Sequence, residues 1–182
     1  IARYLSHRQP HCQGDAVELS PAIAAIAQQF FEFPEHNWQI HQADVRDFIS
    51  ATNASKHYEY IVLDIAEQQH TPHWLTEISF LYHCRQRLSP HGVLCINLAP
   101  RDANEFLRQL SNIRQAFDTR TLCLSVPEHR NVLIFAFAQR PDFGDIGQLR
   151  QRADALFQHW ELPFNDCLDR MIRENPVGSG IF

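Results

Sequence analysis

Thr119-Arg-Thr-Leu-Cys-Leu-Ser-Val126 and Asn131-Val-Leu-Ile-Phe-Ala-Phe-Ala138 are joined only by Pro127-Glu-His-Arg130, and this stretch decides the architecture. Both runs have strand composition, and four residues suffice only for a hairpin loop. The two strands therefore pair antiparallel. Upstream the pattern is different. Tyr60-Ile-Val-Leu-Asp64 and Val93-Leu-Cys-Ile-Asn-Leu98 are short apolar runs with helical periodicity between and after them. Such runs read as buried parallel strands.

Working outward, residues 12–18 and 37–42 read as two further strands, the first containing Asp15-Ala-Val-Glu18 and the second Trp38, Ile40 and His41. Ser20-Pro21 supplies a helix N-cap and a first-turn proline. In the helix that follows, Ile23, Ile26, Ala27, Phe30 and Phe31 form an apolar face, and Pro34 ends it. Ile1 to Gln9 read as the first helix, and Asp44 precedes a short one carrying Phe48 and Ile49. A polar loop spans Thr52 to His57. A helix runs from about Trp74 to Leu88, and Ser89-Pro-His-Gly92 turns the chain into the next strand. Another runs from Asp102 to Ala116 with Phe106, Leu107, Leu110 and Ile113 inward. The tail, 145–175, is helical by periodicity and breaks at Pro163.

Alternation of this kind implies a doubly wound α/β fold, with 12–18, 37–42, 58–64 and 92–98 as neighbouring parallel strands. A closing antiparallel hairpin distinguishes the class I methyltransferase type from ordinary dinucleotide-binding domains. On this reading residues 1–140 form a nucleotide-binding domain lacking its first strand and glycine loop, and 141–182 form a helical tail.

The chain has 182 residues, 45% of them apolar, a formal charge of −5 and one lysine, Lys56. A core is therefore available, while a broad electrostatic grip on nucleic acid or anionic membrane is not. No run of eighteen apolar residues and no signal pattern occurs, which gives the expectation of a soluble cytoplasmic protein. Five scattered cysteines contain no CxxC pair and suggest no disulfide framework. His70 and His73 flank Pro72 without a third ligand nearby, so no metal is expected.

In open α/β sheets ligands bind beyond the carboxyl ends of strands. Glu18, Asp44 and Asp64 fall at three such ends. Glu18 has two acceptor oxygens that match a ribose diol. Asp44 suits the exocyclic amine of an adenine, and Asp64 faces the place of a transferred group. For each acid the plainer alternative is a helix cap or a solvated loop carboxylate.

Ala16-Val-Glu-Leu-Ser-Pro21, Phe30-Phe31, Phe33-Pro34, Gln42-Ala-Asp-Val-Arg-Asp-Phe-Ile49, Tyr60-Ile-Val-Leu-Asp64 and Leu88-Ser-Pro-His-Gly-Val-Leu94 together resemble the core of the spermidine synthase (polyamine aminopropyltransferase) family. The resemblance covers roughly residues 1–140. It implies a nucleoside ligand: S-adenosylmethionine, its decarboxylated form or methylthioadenosine. It implies Glu18 on the ribose, Asp44 with the backbone of Val45 around the adenine, and Asp64 as base toward an attacking amine. Glu67, in Asp64-Ile-Ala-Glu67-Gln68, keeps the second charge of the family's acidic motif without its proline and would attract a polyamine. A homodimer is allowed. Two function classes follow: a transferase moving a methyl or aminopropyl group, and a non-catalytic relative serving as a binding or assembly module.

Overall fold

The computed structural model describes residues 1–51, 56–178 and 181, which fall into two compact units, Ile1–Ala54 and Ser55–Phe182. The loop expected over 52–57 lies in part outside the described residues.

In the first unit α1 (Ala2–Arg8) leads to β1 (Gly14–Glu18), α2 (Pro21–Phe30), β2 (Trp38–Gln42) and α3 (Val45–Ser50). β1 and β2 pair in parallel, from Gly14 opposite Trp38 to Glu18 opposite Gln42. A Cβ on Gly14 would come within 2.2 Å of the Trp38 ring, so glycine is required there for the indole to lie over the strand. Asn37 ties the entry to β1 into the turn before β2. Its Nδ2 donates to the Cys12 carbonyl at 2.7 Å, and its Oδ1 accepts from the buried Ser6 hydroxyl at 3.1 Å. Ser20 caps α2 as expected, with Pro21 at the first helical position.

The apolar face expected for α2 is not buried. Ala24 is the buried residue, whereas Ile23, Ile26 and Phe31 are exposed and Phe30 is 73% exposed. A two-stranded sheet is too narrow to cover a stripe of four large side chains.

The second unit contains β3 (Tyr58–Leu63), a 3-10 turn (His73–Thr76), α4 (Ile78–Gln86), β4 (Leu88–Leu98), α5 (Ala103–Ala116), β5 (Thr121–Ser125), β6 (Val132–Phe137), α6 (Ile146–Trp160) and α7 (Phe164–Glu174). The strand order is β3-β4-β6-β5: β3 is parallel to β4, and β6 is antiparallel to both β4 and β5. The expected hairpin is present, and its return strand lies between the parallel pair and the edge. This is the α/β class I methyltransferase architecture, although its strands form two sheets here, where one continuous row of neighbours was expected. Leu94, Ile96 and Leu98 of β4 are fully buried, as are Leu81 of α4 and Ile113 of α5, and they form the core of this unit.

Four local expectations change. The helix from 74 to 88 is broken at Glu77, which is extended (φ −66, ψ 137), because the Thr76 carbonyl accepts from Asn112 Nδ2 at 3.1 Å and does not continue the turn. Residues 89–92 do not form a separate turn; they lie within β4, bulged so that Leu88 pairs with Tyr58 and Val93 with Tyr60. Proline, which cannot donate to a ladder, is at home in such a bulge. On α5 Leu107 is 60% exposed and Gln109 is 4% exposed, since the buried stripe follows 109, 110, 113 and 116. β3 is buried on one face only: Leu63 is covered, while Tyr60 and Val62 alternate to an exposed face.

The tail closes the outer edge of β5. Asn175 Oδ1 accepts from the Cys123 amide at 2.8 Å, and its Nδ2 donates to the Cys123 carbonyl at 2.7 Å. Glu174 Oε2 accepts from the Ser125 amide at 2.7 Å, and Arg170 Nη1 donates to the Ser125 carbonyl at 3.0 Å. These side chains do for β5 what a neighbouring strand would, satisfying edge groups that otherwise recruit another chain.

Asn175→Ala should therefore destabilise the protein by roughly 1–3 kcal/mol, because it strands two buried backbone groups. Urea denaturation reads this directly, and an unchanged midpoint would show that the edge is satisfied some other way.

Candidate functional site

In the first unit the parallel pairing delivers two acids to one edge. Glu18 is the last residue of β1, opposite Gln42, the last of β2, and its carbonyl accepts from the Ala43 amide at 3.2 Å. Asp44 follows directly. The half-buried Glu18 carboxylate uses Oε1 to accept the Ser20 amide at 2.7 Å. Among the described residues its Oε2 makes no hydrogen bond.

Asp44 is more heavily engaged. It is the N-cap of α3, where Oδ1 accepts the Arg46 amide at 2.8 Å. The Arg46 guanidinium also clamps the carboxylate, through Nε at 3.0 and 3.1 Å and through Nη2. The Arg46 side chain, and after it the Arg46 amide, hold the Asp44 carboxyl below the usual range. Val45 opens α3, so its amide is one of those left without an intrahelical acceptor. A nucleoside base fits this edge in donor and acceptor type, provided that Arg46 releases part of Asp44. Sequence reasoning did not find the brace beside it: His41 Nε2 lies 2.8 Å from the largely buried Asp15 carboxylate, and its ring packs on Phe48.

In the second unit Asp64 stands immediately beyond β3, exposed, and its position follows from the register. Leu63 pairs with Ile96, which sets Asp64 opposite Asn97. Asn97 Nδ2 donates to Asp64 Oδ1 at 2.8 Å, and Asn131 Nδ2, just before β6, donates to Asn97 Oδ1 at 2.9 Å. Asp64 Oδ2 makes no hydrogen bond among the described residues. The loop beyond is pinned by Thr71, whose hydroxyl accepts the Ala99 amide at 2.7 Å.

Glu67 and His70 exchange backbone hydrogen bonds across Gln68 and Gln69, both left-handed at φ 49 and 69. Non-glycine residues adopt this conformation at some cost, and two in succession make a tight reverse turn. Glu67 is exposed on the arm of that turn and accepts the Trp74 indole N–H at 3.2 Å. Burial, and after it the Asp64 charge, push the Cys95 thiol up to about 11, so it stays protonated.

The sequence reading singled out Asp64 and Glu67 and did not anticipate Asn97, Asn131, Thr71 and Trp74 around them. The available signal was an amide inside the apolar run Val93-Leu-Cys-Ile-Asn-Leu98. Among the described residues no three His, Cys, Asp or Glu side chains are grouped to hold a metal ion. Nor is any described helix long and apolar enough to cross a membrane.

No protein-family model matches the chain. The polyamine aminopropyltransferase of Chromobacterium violaceum is 30% identical over 184 residues, covering 99% of this chain and 69% of that relative. Among solved structures, human methyltransferase-like protein 13 in complex with SAH superposes with a TM-score of 0.78 at 24% identity, over 88% of this chain and 77% of that one. A probable spermidine synthase from Corynebacterium glutamicum gives 0.72 at 20% identity, over 86% of this chain and 58% of that one. Both structures establish the fold.

The Asp44 clamp makes a direct test of the local electrostatics. Arg46→Ala should return the Asp44 titration toward the ordinary carboxylate range, read by side-chain carboxyl NMR. Because the folded carboxyl titrates below its unfolded value, the clamp favours the folded state above the ordinary Asp range. That contribution fades as pH falls through the depressed value. A titration unmoved by Arg46→Ala would assign the effect to the helix start alone.

Proposed function

Because the chain belongs to the polyamine aminopropyltransferase family, we propose that it binds an S-adenosyl ligand and transfers an alkyl group from the sulfonium to an amine. The observation that carries this reading is Asp64: an exposed carboxylate at the carboxyl end of β3, held through one oxygen by Asn97, with the other free of hydrogen bonds among the described residues. A carboxylate so held can orient an amine and take its proton.

The reaction asks for little covalent help. The amine lone pair attacks the carbon bonded to sulfur, the C–S bond breaks, and its electron pair stays on sulfur as a neutral thioether. The new C–N bond leaves an ammonium, whose surplus proton passes to Asp64. Positioning the nucleophile and keeping it unprotonated supply most of the rate. Decarboxylated S-adenosylmethionine would deliver an aminopropyl group and S-adenosylmethionine a methyl group. Family membership and the second acid, Glu67, favour the former with a polyamine as acceptor.

Nucleoside recognition falls to the first unit in this proposal. Glu18 accepts the ribose hydroxyls through its uncommitted Oε2. Asp44 and the backbone of Val45 receive the adenine once Arg46 yields one oxygen. Glu67 draws a cationic acceptor toward the loop. Residues 1–140 carry the chemistry, and the 141–182 extension supports the sheet edge.

On the full-length protein, Asp64→Asn should slow turnover by ~10²–10⁴ while nucleoside affinity stays within a few fold, the pattern of a group that acts in the transition state. Steady-state kinetics with a panel of polyamines and methyl acceptors provides the test. A wild type that binds the nucleoside yet transfers to no acceptor would leave the binding-module reading.

Glu18→Gln should weaken methylthioadenosine binding by about 1–3 kcal/mol in calorimetry, the cost of a charged hydrogen bond. Unaltered affinity would remove Glu18 from the ribose.

A further inference from the structure

The amide pair behind Asp64 has a direction that chemistry alone dictates. An ionised carboxylate only accepts hydrogen bonds, so the Asn97 group facing Asp64 Oδ1 at 2.8 Å must be its NH2. Asn97 Oδ1 then faces away, and its partner at 2.9 Å must be a donor, which makes the facing group of Asn131 an NH2 as well. The order Asn131 to Asn97 to Asp64 is thus set by the charge at its end, whichever way either amide is drawn.

The placement is equally constrained. Asn97 lies in β4, hydrogen-bonded on both sides, opposite Leu133 of β6 and one position beyond the pairing of Leu63 with Ile96. Asn131 sits just before β6. Asp64, by contrast, begins a loop. A strand-borne amide is a rigid post and a loop carboxylate is not. A half-buried amide in the run Val93-Leu-Cys-Ile-Asn-Leu98 also costs desolvation that a valine would avoid.

We propose that Asn97 is a positioning residue for the transfer reaction: locked in one orientation by Asn131, it fixes Asp64 through Oδ1 and leaves Oδ2 to take the proton from the amine. This rests on the reading of Asp64 as proton acceptor. The arrangement does more than hold a side chain. Both donors are neutral, so the carboxylate keeps its full charge for a cationic substrate, which an arginine or lysine partner would cancel. It also makes Asn131 matter at a distance. An aspartate there cannot donate; it draws the Asn97 NH2 toward itself and turns the Asn97 oxygen against Asp64.

The experiment uses full-length protein, decarboxylated S-adenosylmethionine and the best diamine or polyamine acceptor found for the wild type, with thermal melting to confirm folding. Asn97→Leu should lower kcat tenfold to a hundredfold, the order expected of a misplaced reacting group. KM for the nucleoside and its calorimetric affinity should stay within about threefold, on the same ground that the group acts on the reacting atoms alone. Asn97→Gln, which keeps the amide on a longer arm, should recover part of the loss. Asn131→Asp, which preserves size should Asn97→Leu fail to fold, should lower kcat in the same way and add nothing in the Asn97→Leu background.

Independent, additive losses, or an Asn97→Leu enzyme with normal kcat beside an impaired Asp64→Asn, would overturn the relay and leave the function standing. A silent Asp64→Asn, or a wild type that transfers to no acceptor, would overturn both.

Discussion

Parallel pairing leaves a chain no choice about where its strands end. Two strands running in the same direction bring their carboxyl termini to one side, and whatever follows them emerges together. In the first unit this brings Glu18 and Asp44 out side by side. In the second it sets Asp64 opposite Asn97, residues 33 apart in the chain. The antiparallel β6 enters from the same side and adds Asn131. None of these residues is near another in sequence, and each position follows from register rather than from local preference.

The four candidate acids, two in each unit, are held in different ways. Among the described residues Glu18, Asp64 and Glu67 each accept a single neutral N–H, from the Ser20 amide, the Asn97 side chain and the Trp74 indole respectively. Asp44 alone is met by a cation. Neutral donors restrict a carboxylate's rotation without cancelling its charge, which suits the cationic acceptor proposed above. An arginine does the opposite: Arg46 satisfies Asp44 so fully that any ligand must compete with it. The chain's negative balance adds weakly and at longer range to the same preference.

Local chemistry was legible in the sequence. Ser20-Pro21 announces α2, the helical period from Asp102 marks α5, Pro163 separates α6 from α7, and the runs around Pro127 pair as a hairpin. The acids at the strand ends could be found because a strand followed by an acid is a local pattern. What could not be read depends on partners far along the chain. The face of α2 follows a helical period, yet the period does not say how wide a sheet will meet it, and Phe30 stays in solvent. Leu107 looks like a core residue until Gln109 proves to lie on the buried stripe. Asn97 passes for a strand residue because its two partners lie 33 and 34 residues away.

The edge of β5 is sealed by side chains of α7 rather than by another backbone, and the difference affects how the molecule comes apart. Strand-to-strand ladders lose their bonds in sequence from an end, whereas Arg170, Glu174 and Asn175 belong to a single helix and leave together when it lifts. A protease cut between α6 and α7, at the exposed Leu162, would detach that helix from its tether in one step. The amides and carbonyls of Cys123 and Ser125 would then face solvent as an open ladder beside an apolar strand. Limited proteolysis would in this way turn a sealed sheet edge into a template for fibrous association, while leaving every residue around Asp64 intact.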